Sequence, residues 1–126
     1  AAGILEESLA KERMVGRLQR KRFQAAVEAG VNMAFGSDAG VYPHGTNARQ
    51  FPKMVEWGMS PMQAIQTATL SNATLFGLED EIGSITVGKA ADLIAVEGDP
   101  LADIKELQDV DFVMKAGTIY LDEISQ

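Results

Sequence analysis

The stretch VNMAFGSDAGVYPHGTN, residues 31–47, decides how the rest of the chain is read. It opens on a short apolar run, VNMAF, bounded by Gly30 and Gly36. Such a run suits a strand buried on both faces, as in a parallel sheet. The next residues are no helix, because Gly36, Gly40, Pro43 and Gly45 fall close together. Asp38 stands between small residues just past the strand end, and His44, the only histidine of the chain, lies in the same loop. In parallel α/β architectures ligands bind at the carboxyl ends of the strands. Asp38 is then a metal ligand or general base facing a pocket, or an Asx-turn carboxylate that accepts from nearby backbone amides.

On the N-terminal side, residues 4–29 read as one long helix. Leu5, Leu9, Val15, Leu18, Ala26 and Val27 recur at near-helical spacing. Gly30 ends it in the C′ position, where a left-handed residue is wanted. Helix, short loop and buried strand make half of an α/β repeat.

On the C-terminal side, a second helix is expected after Thr46 or Asn47. It ends at Gly58, with Phe51, Met54 and Val55 on its inner face. Ser60-Pro61-Met62-Gln63 is a helix start: Ser as N-cap, Pro at the first helical position, Gln three after the cap. That third helix runs to about Leu70. Ser71 is the expected cap of a further short turn of helix that Gly77 closes. Beyond Gly77, IGSITVGKAADLIAV has the β-branched residues, turn glycines and period-two stretches of strands. EGDPLADIKEL reads as a turn and a short helical stretch. DFVMKAGTIYL reads as a hairpin joined by Lys115-Ala116-Gly117. Two regions result, residues 1–77 of α/β character and residues 78–126 mostly β, packed together.

Composition narrows the function classes. With 46% apolar residues the chain can bury a core and is not disordered by composition. No apolar run approaches the ~18 residues of a membrane span. The opening AAGILEESLAKER has no signal-peptide pattern. Cysteine is absent, which removes disulfides and thiolate chemistry. A cytoplasmic setting is the default expectation. The net charge of −7 is uneven: residues 1–30 carry six basic and four acidic groups, residues 31–126 five basic and fourteen acidic. An acidic body does not favour phosphate backbones. The basic cluster Lys11, Arg13, Arg17, Arg20, Lys21 and Arg22 reads as the wet face of an amphipathic helix.

The candidate site residues are few. A catalytic zinc site usually takes three protein ligands. This chain has one histidine, no cysteine and no carboxylate cluster around Asp38. If Asp38 is a ligand, the others are elsewhere. His44 sits in a polar, glycine-rich loop, where it is a substrate contact or a surface residue without a role. Arg49 falls at the start of a helix, where a cation opposes the dipole. It pairs with a carboxylate or is simply solvated.

The succession GVNMAFGSDAG, SPMQAIQTATLSNATLFGL, GSITVGKAADLIAVEGDPL and VDFVMKAGTIYL resembles the C-terminal end of the metal-dependent amidohydrolase superfamily. Within it the chain looks like the imidazolonepropionase-like and Xaa-Pro dipeptidase branch, with YPHGTNARQF leaning toward the dipeptidases. The resemblance implies an α/β fold: the C-terminal part of a (β/α)₈ TIM-like barrel, plus strands of a small composite β-sandwich made from both chain ends. Residues 4–29 would be the helix before the last barrel strand, residues 31–36 that strand, residues 47–77 the last barrel helices, and residues 82–121 the sandwich share. Asp38 would match the strand-end aspartate that binds metal and moves the proton of the attacking water. His44 and Arg49 would be substrate contacts. The implied cofactor is one or two divalent ions, usually zinc, with most ligands outside this chain. The implied partner is a small amide or dipeptide substrate, with no nucleic acid and no membrane, in a homo-oligomer.

The same resemblance implies that the chain is a fragment. The family's HxH pair, its mid-barrel lysine and two further strand-end histidines have no counterpart here, and the chain does not begin with Met. By itself it is expected to have no hydrolase activity and no tight zinc site, and to associate through exposed strand edges. The competing expectation is a non-catalytic, acidic α/β interaction or assembly module.

Overall fold

The computed structural model describes residues 2–40 and 43–124, with side chains in the first helix from residue 6 onward. The side chain of Leu5 and the whole of Tyr42 lie outside the described residues. The chain divides into two compact units, Ala1–Val31 and Asn32–Gln126.

The first unit is helix α1, Ala2–Glu28. Its end is the expected one. Gly30 has φ 68°; its N–H donates to the Val27 carbonyl, and the Val31 N–H reaches back to the Ala26 carbonyl. These two bonds form a Schellman motif, which satisfies carbonyls that the helix leaves orphaned. Leu9, Val15 and Leu18 remain exposed, as do the basic residues between 11 and 22.

The second unit contains helices α2, Gln50–Glu56, α3, Pro61–Ala68, and α4, Leu70–Phe76. A 3₁₀ turn, Asn47–Arg49, leads into α2. The predicted capping box at α3 is present: Gln63 N–H donates to Ser60 Oγ at 3.2 Å, and Ser60 N–H donates to Gln63 Oε1 at 2.8 Å. Such a cap stabilises a helix by ~1 kcal/mol. Gly58 and Gly77 close α2 and α4 with the same pair of back-reaching bonds as Gly30. Ser71 does not cap α4. The helix begins at Leu70 with Thr69 before it, and the Thr69 hydroxyl is committed to the Ile65 carbonyl of α3 at 2.9 Å.

The buried core of this unit is Met54, Met59, Ala64, Thr67, Ala73 and Ile104. Ile104 belongs to a second 3₁₀ segment, Ile104–Gln108, that packs on α2. Asp103 caps this segment by accepting from the Lys105 N–H at 3.0 Å.

Strands β1, Leu93–Ala95, β2, Phe112–Lys115, and β3, Thr118–Asp122, form an antiparallel sheet in that order. Val113 pairs with Ile94 on one side and Leu121 on the other, so these three share a face. The β2–β3 turn is Ala116-Gly117, with φ 48° and 78°. Positive φ at both central residues is the two-residue hairpin geometry that follows the twist of its strands. Lys115 itself is the last residue of β2.

Two strand expectations are corrected. Ile85 and Val87 form no strand: Ile85 is 90% exposed and Val87 fully so. Their period-two pattern needs a facing layer, and the loop meets none among the described residues. VNMAF is likewise not in a sheet and is not buried on both faces. Met33, Phe35 and Ser37 are half-buried, while Asn32, Ala34, Gly36 and Asp38 are exposed. One face of the segment packs on the helices, and the other stays open.

Candidate functional site

The segment 32–38 is held without a sheet, and Phe35 is its anchor. The Phe35 ring stacks on Phe51 of α2, with centroids 4.8 Å apart and planes at 29°. Its N–H donates to the Thr67 carbonyl at 3.0 Å. Thr67 lies near the end of α3, where helix carbonyls lack intrahelical partners. The Phe35 carbonyl accepts from Asn72 Nδ2 of α4 at 3.1 Å. A single residue thus engages all three helices, and both of its backbone polar groups are satisfied.

Three residues further on, Asp38 is exposed on the open face with φ 49°. A left-handed conformation is uncommon for a non-glycine residue, though aspartate is enriched among the exceptions. Strained backbone positions cluster where side chains are aimed for a task. The loop beyond Asp38 is closed by a clasp: Asn47 Nδ2 donates to Ser37 Oγ at 2.9 Å. Thr46 Oγ1 adds a bond to the Pro43 carbonyl at 2.9 Å. His44 is exposed on this loop.

Arg49 ends the 3₁₀ turn and opens α2. It lines a half-open cleft of about 140 Å³ with Gly45, Thr46, Ala48 and Gln108. Neither Asp38 nor His44 lines that cleft. The structure therefore sets Asp38 and His44 on one clasped loop and Arg49 at its far end.

Among the described residues, no three or more histidines, aspartates or glutamates gather where a metal could sit. A carboxylate on an open face suits one position in a divalent-ion site, since such ions take oxygen donors. The described residues thus offer a divalent ion Asp38 as one oxygen donor and no group of three such side chains. Sequence reasoning missed Thr67, Asn72 and Asn47, which place the segment and the loop. The only signal for Asn72 was a polar amide inside a short helix, where asparagine is a poor helix former.

The chain matches the amidohydrolase family model over residues 2–120. Ochratoxinase of Aspergillus niger is 36% identical over 123 residues, which is 94% of this chain and 25% of that protein. A solved Xaa-Pro dipeptidase with methionine bound in its active site is 53% identical, with a TM-score of 0.78 over 81% of this chain and 25% of that one. The solved A. niger ochratoxinase gives a TM-score of 0.80 at 37% identity, covering 92% of this chain and 28% of that one. The chain spans about a quarter of the length of the relatives it matches.

Proposed function

The chain belongs to the amidohydrolase family, whose members are generally metal-dependent, and from that premise we propose that it is the C-terminal segment of a hydrolase of carbon–nitrogen bonds. Residues 1–77 are the last helix–strand–helix portion of a (β/α)₈ barrel, and residues 78–126 are the C-terminal share of a composite β-sandwich. The open face of Asn32, Ala34, Gly36 and Asp38 supports this, since it leaves small residues and one carboxylate where a barrel interior would be. The exposed Ile85 and Val87 fit the same reading, as residues that a further strand would cover.

The observation that carries the proposal is the placement of Asp38: at the end of an anchored segment, left-handed, exposed and succeeded by a clasped loop. Asp38 would hold a divalent metal, zinc by preference, through one carboxylate oxygen, and would take the proton of the attacking water and pass it to the leaving nitrogen. The bound ion supplies Lewis acidity and a water of lowered pKa. His44 hydrogen-bonds the substrate. Arg49, in its cleft beside Gln108, pairs with a substrate carboxylate. The substrate class is a small amide or dipeptide, with Xaa-Pro dipeptides the first to try because a solved Xaa-Pro dipeptidase is 53% identical. The whole enzyme is a cytoplasmic homo-oligomer. The described residues include no helix long and apolar enough to cross a membrane.

The second reading is a non-catalytic acidic interaction module, favoured because the described residues hold no group of three side chains that could bind a metal. Metal content by mass spectrometry separates the two, measured on this chain and on the open reading frame that contains it. Zinc near one equivalent or more in the longer protein, lost in Asp38→Ala and nearly absent from the chain alone, supports the hydrolase. No metal in either returns Asp38 to a turn residue and leaves the module reading in front.

A further inference from the structure

We infer that Asn72 is a positioning residue for Asp38: its side-chain amide sets where the carboxylate stands by holding the carbonyl of Phe35. The inference rests on the reading of Asp38 as a metal ligand. The bond is long-range, joining residues 37 positions apart, and is 3.1 Å long. It is one of three contacts that hold Phe35, with the Phe51 stack and the Thr67 bond, and the one on the Asp38 side of the residue. Among the described residues, no strand pairs with the segment 32–38. The last backbone hydrogen bonds before Asp38, among the described residues, are the one the Phe35 N–H donates to Thr67 and the one the Phe35 carbonyl accepts from Asn72. Only Gly36 and Ser37 then separate the anchor from Asp38, and Ser37 is caught from the other side by Asn47. Asp38 is therefore bracketed by two asparagine amides, one on the segment before it and one on the loop after it.

The residue type supports this role. At position 72 an alanine or leucine would be the better helix former. Asparagine instead brings an N–H donor to a half-buried carbonyl whose partner would otherwise be missing. An acceptor at that point also fixes which way the amide faces. Groups that orient a ligand from behind commonly change metal affinity about 10- to 100-fold when removed.

The test uses Asn72→Asp, which keeps size and shape but removes the N–H donor. Asn72→Ala is the second variant should the first fail to fold. Hydrogen–deuterium exchange by mass spectrometry is read on this chain and on the longer protein that contains it. Zinc affinity of the longer protein is read by chelator competition. The expected result is about tenfold faster exchange in peptides spanning residues 32–40, with unchanged rates across α3 and α4, and zinc affinity lowered about 10- to 100-fold. Faster exchange across α3 and α4 as well would make Asn72 a helix-packing residue and overturn the inference. Unchanged exchange at 32–40 with unchanged zinc affinity would also overturn it. Asp38→Ala keeps the two readings apart. Full zinc affinity in that variant overturns Asp38 as a ligand, whereas affinity lost there but kept in both Asn72 variants overturns only the role of Asn72.

Discussion

The hairpin β2–β3 and the segment 32–38 are both short lengths of irregular or extended chain, yet they are held in opposite ways. In the hairpin, backbone groups pair with a strand that begins three residues after the first one ends, across the turn Ala116-Gly117. In the segment, Phe35 hands its N–H to Thr67 and its carbonyl to Asn72, both far along the chain. The local device builds structure that tolerates change in its neighbours. The remote one makes the position of Asp38 depend on α2, α3 and α4 at once. A residue that must stand at one point in space gains from being tied to three rigid elements instead of a flexible edge.

The largest break in this contrast is expected at Asp38, if it carries the role proposed for it. Asp38→Ala in the longer protein should lower kcat by at least about a hundredfold, the usual share of a positioned proton-transfer group. Steady-state kinetics on an Xaa-Pro dipeptide panel checks this, and an unchanged kcat would detach Asp38 from the chemistry. Next comes the anchor. Phe35→Ala removes the stack on Phe51 and should weaken local stability by ~2 kcal/mol. That corresponds to roughly thirtyfold faster amide exchange in residues 32–40, while hairpin amides keep their rates. Equal acceleration in both regions would show that the two are one cooperative unit.

The hairpin offers the opposite sign. Ala116 occupies φ 48°, a conformation that opposes its side chain. Ala116→Gly should relieve ~1 kcal/mol. Hairpin amides should then exchange about fivefold more slowly, with no effect on residues 32–40. A slower segment as well would contradict the independence of the two devices.

The same contrast explains what could be read from the sequence. Gly30, Gly58 and Gly77 marked helix ends, and Ser60 with Gln63 marked a start, because each signal sits within a turn of the residues it acts on. The hairpin was legible for the same reason. Asp38 stood out as a candidate through its glycine-framed turn after an apolar run and through the family resemblance, not through any contact the sequence names. Phe35's partners were not, since nothing near VNMAF names Thr67 or Asn72. The segment was expected as a strand buried on both faces, yet one face is open because no element among the described residues covers it. Ser71 was a misleading cap because α4 already begins at Leu70, which places Ser71 inside the helix. Ile85 and Val87 carry a strand pattern whose completion depends on a facing layer that no described residue provides.

The smallest expected effect lies in the hairpin's electrostatics and sharpens its local character. Asp92, just before β1, accepts from the Ala116 N–H at 2.8 Å with one oxygen and from the Lys115 ammonium with the other. The Lys115 hydrogen bond, then the Ala116 N–H, hold the Asp92 carboxyl below its ordinary value of 3.8. A carboxylate with a lowered folded pKa stabilises the fold fully above the ordinary value, and that contribution fades as pH falls through the folded one. The hairpin should therefore keep its full protection at neutral pH and lose part of it only in acid, below about pH 4. Asp92→Asn keeps an oxygen for the Ala116 N–H but removes the charge that Lys115 pairs with. Its hairpin should be slightly less protected than the natural one at neutral pH, and the difference should vanish in acid. Because Lys115 is exposed and Asp92 only half-buried, high salt should shrink the neutral-pH difference too. Amide exchange of β2 and β3 measured across that pH range checks it. A difference that persists in acid would assign Asp92 a role in shape, through its bond to Ala116, and not in charge.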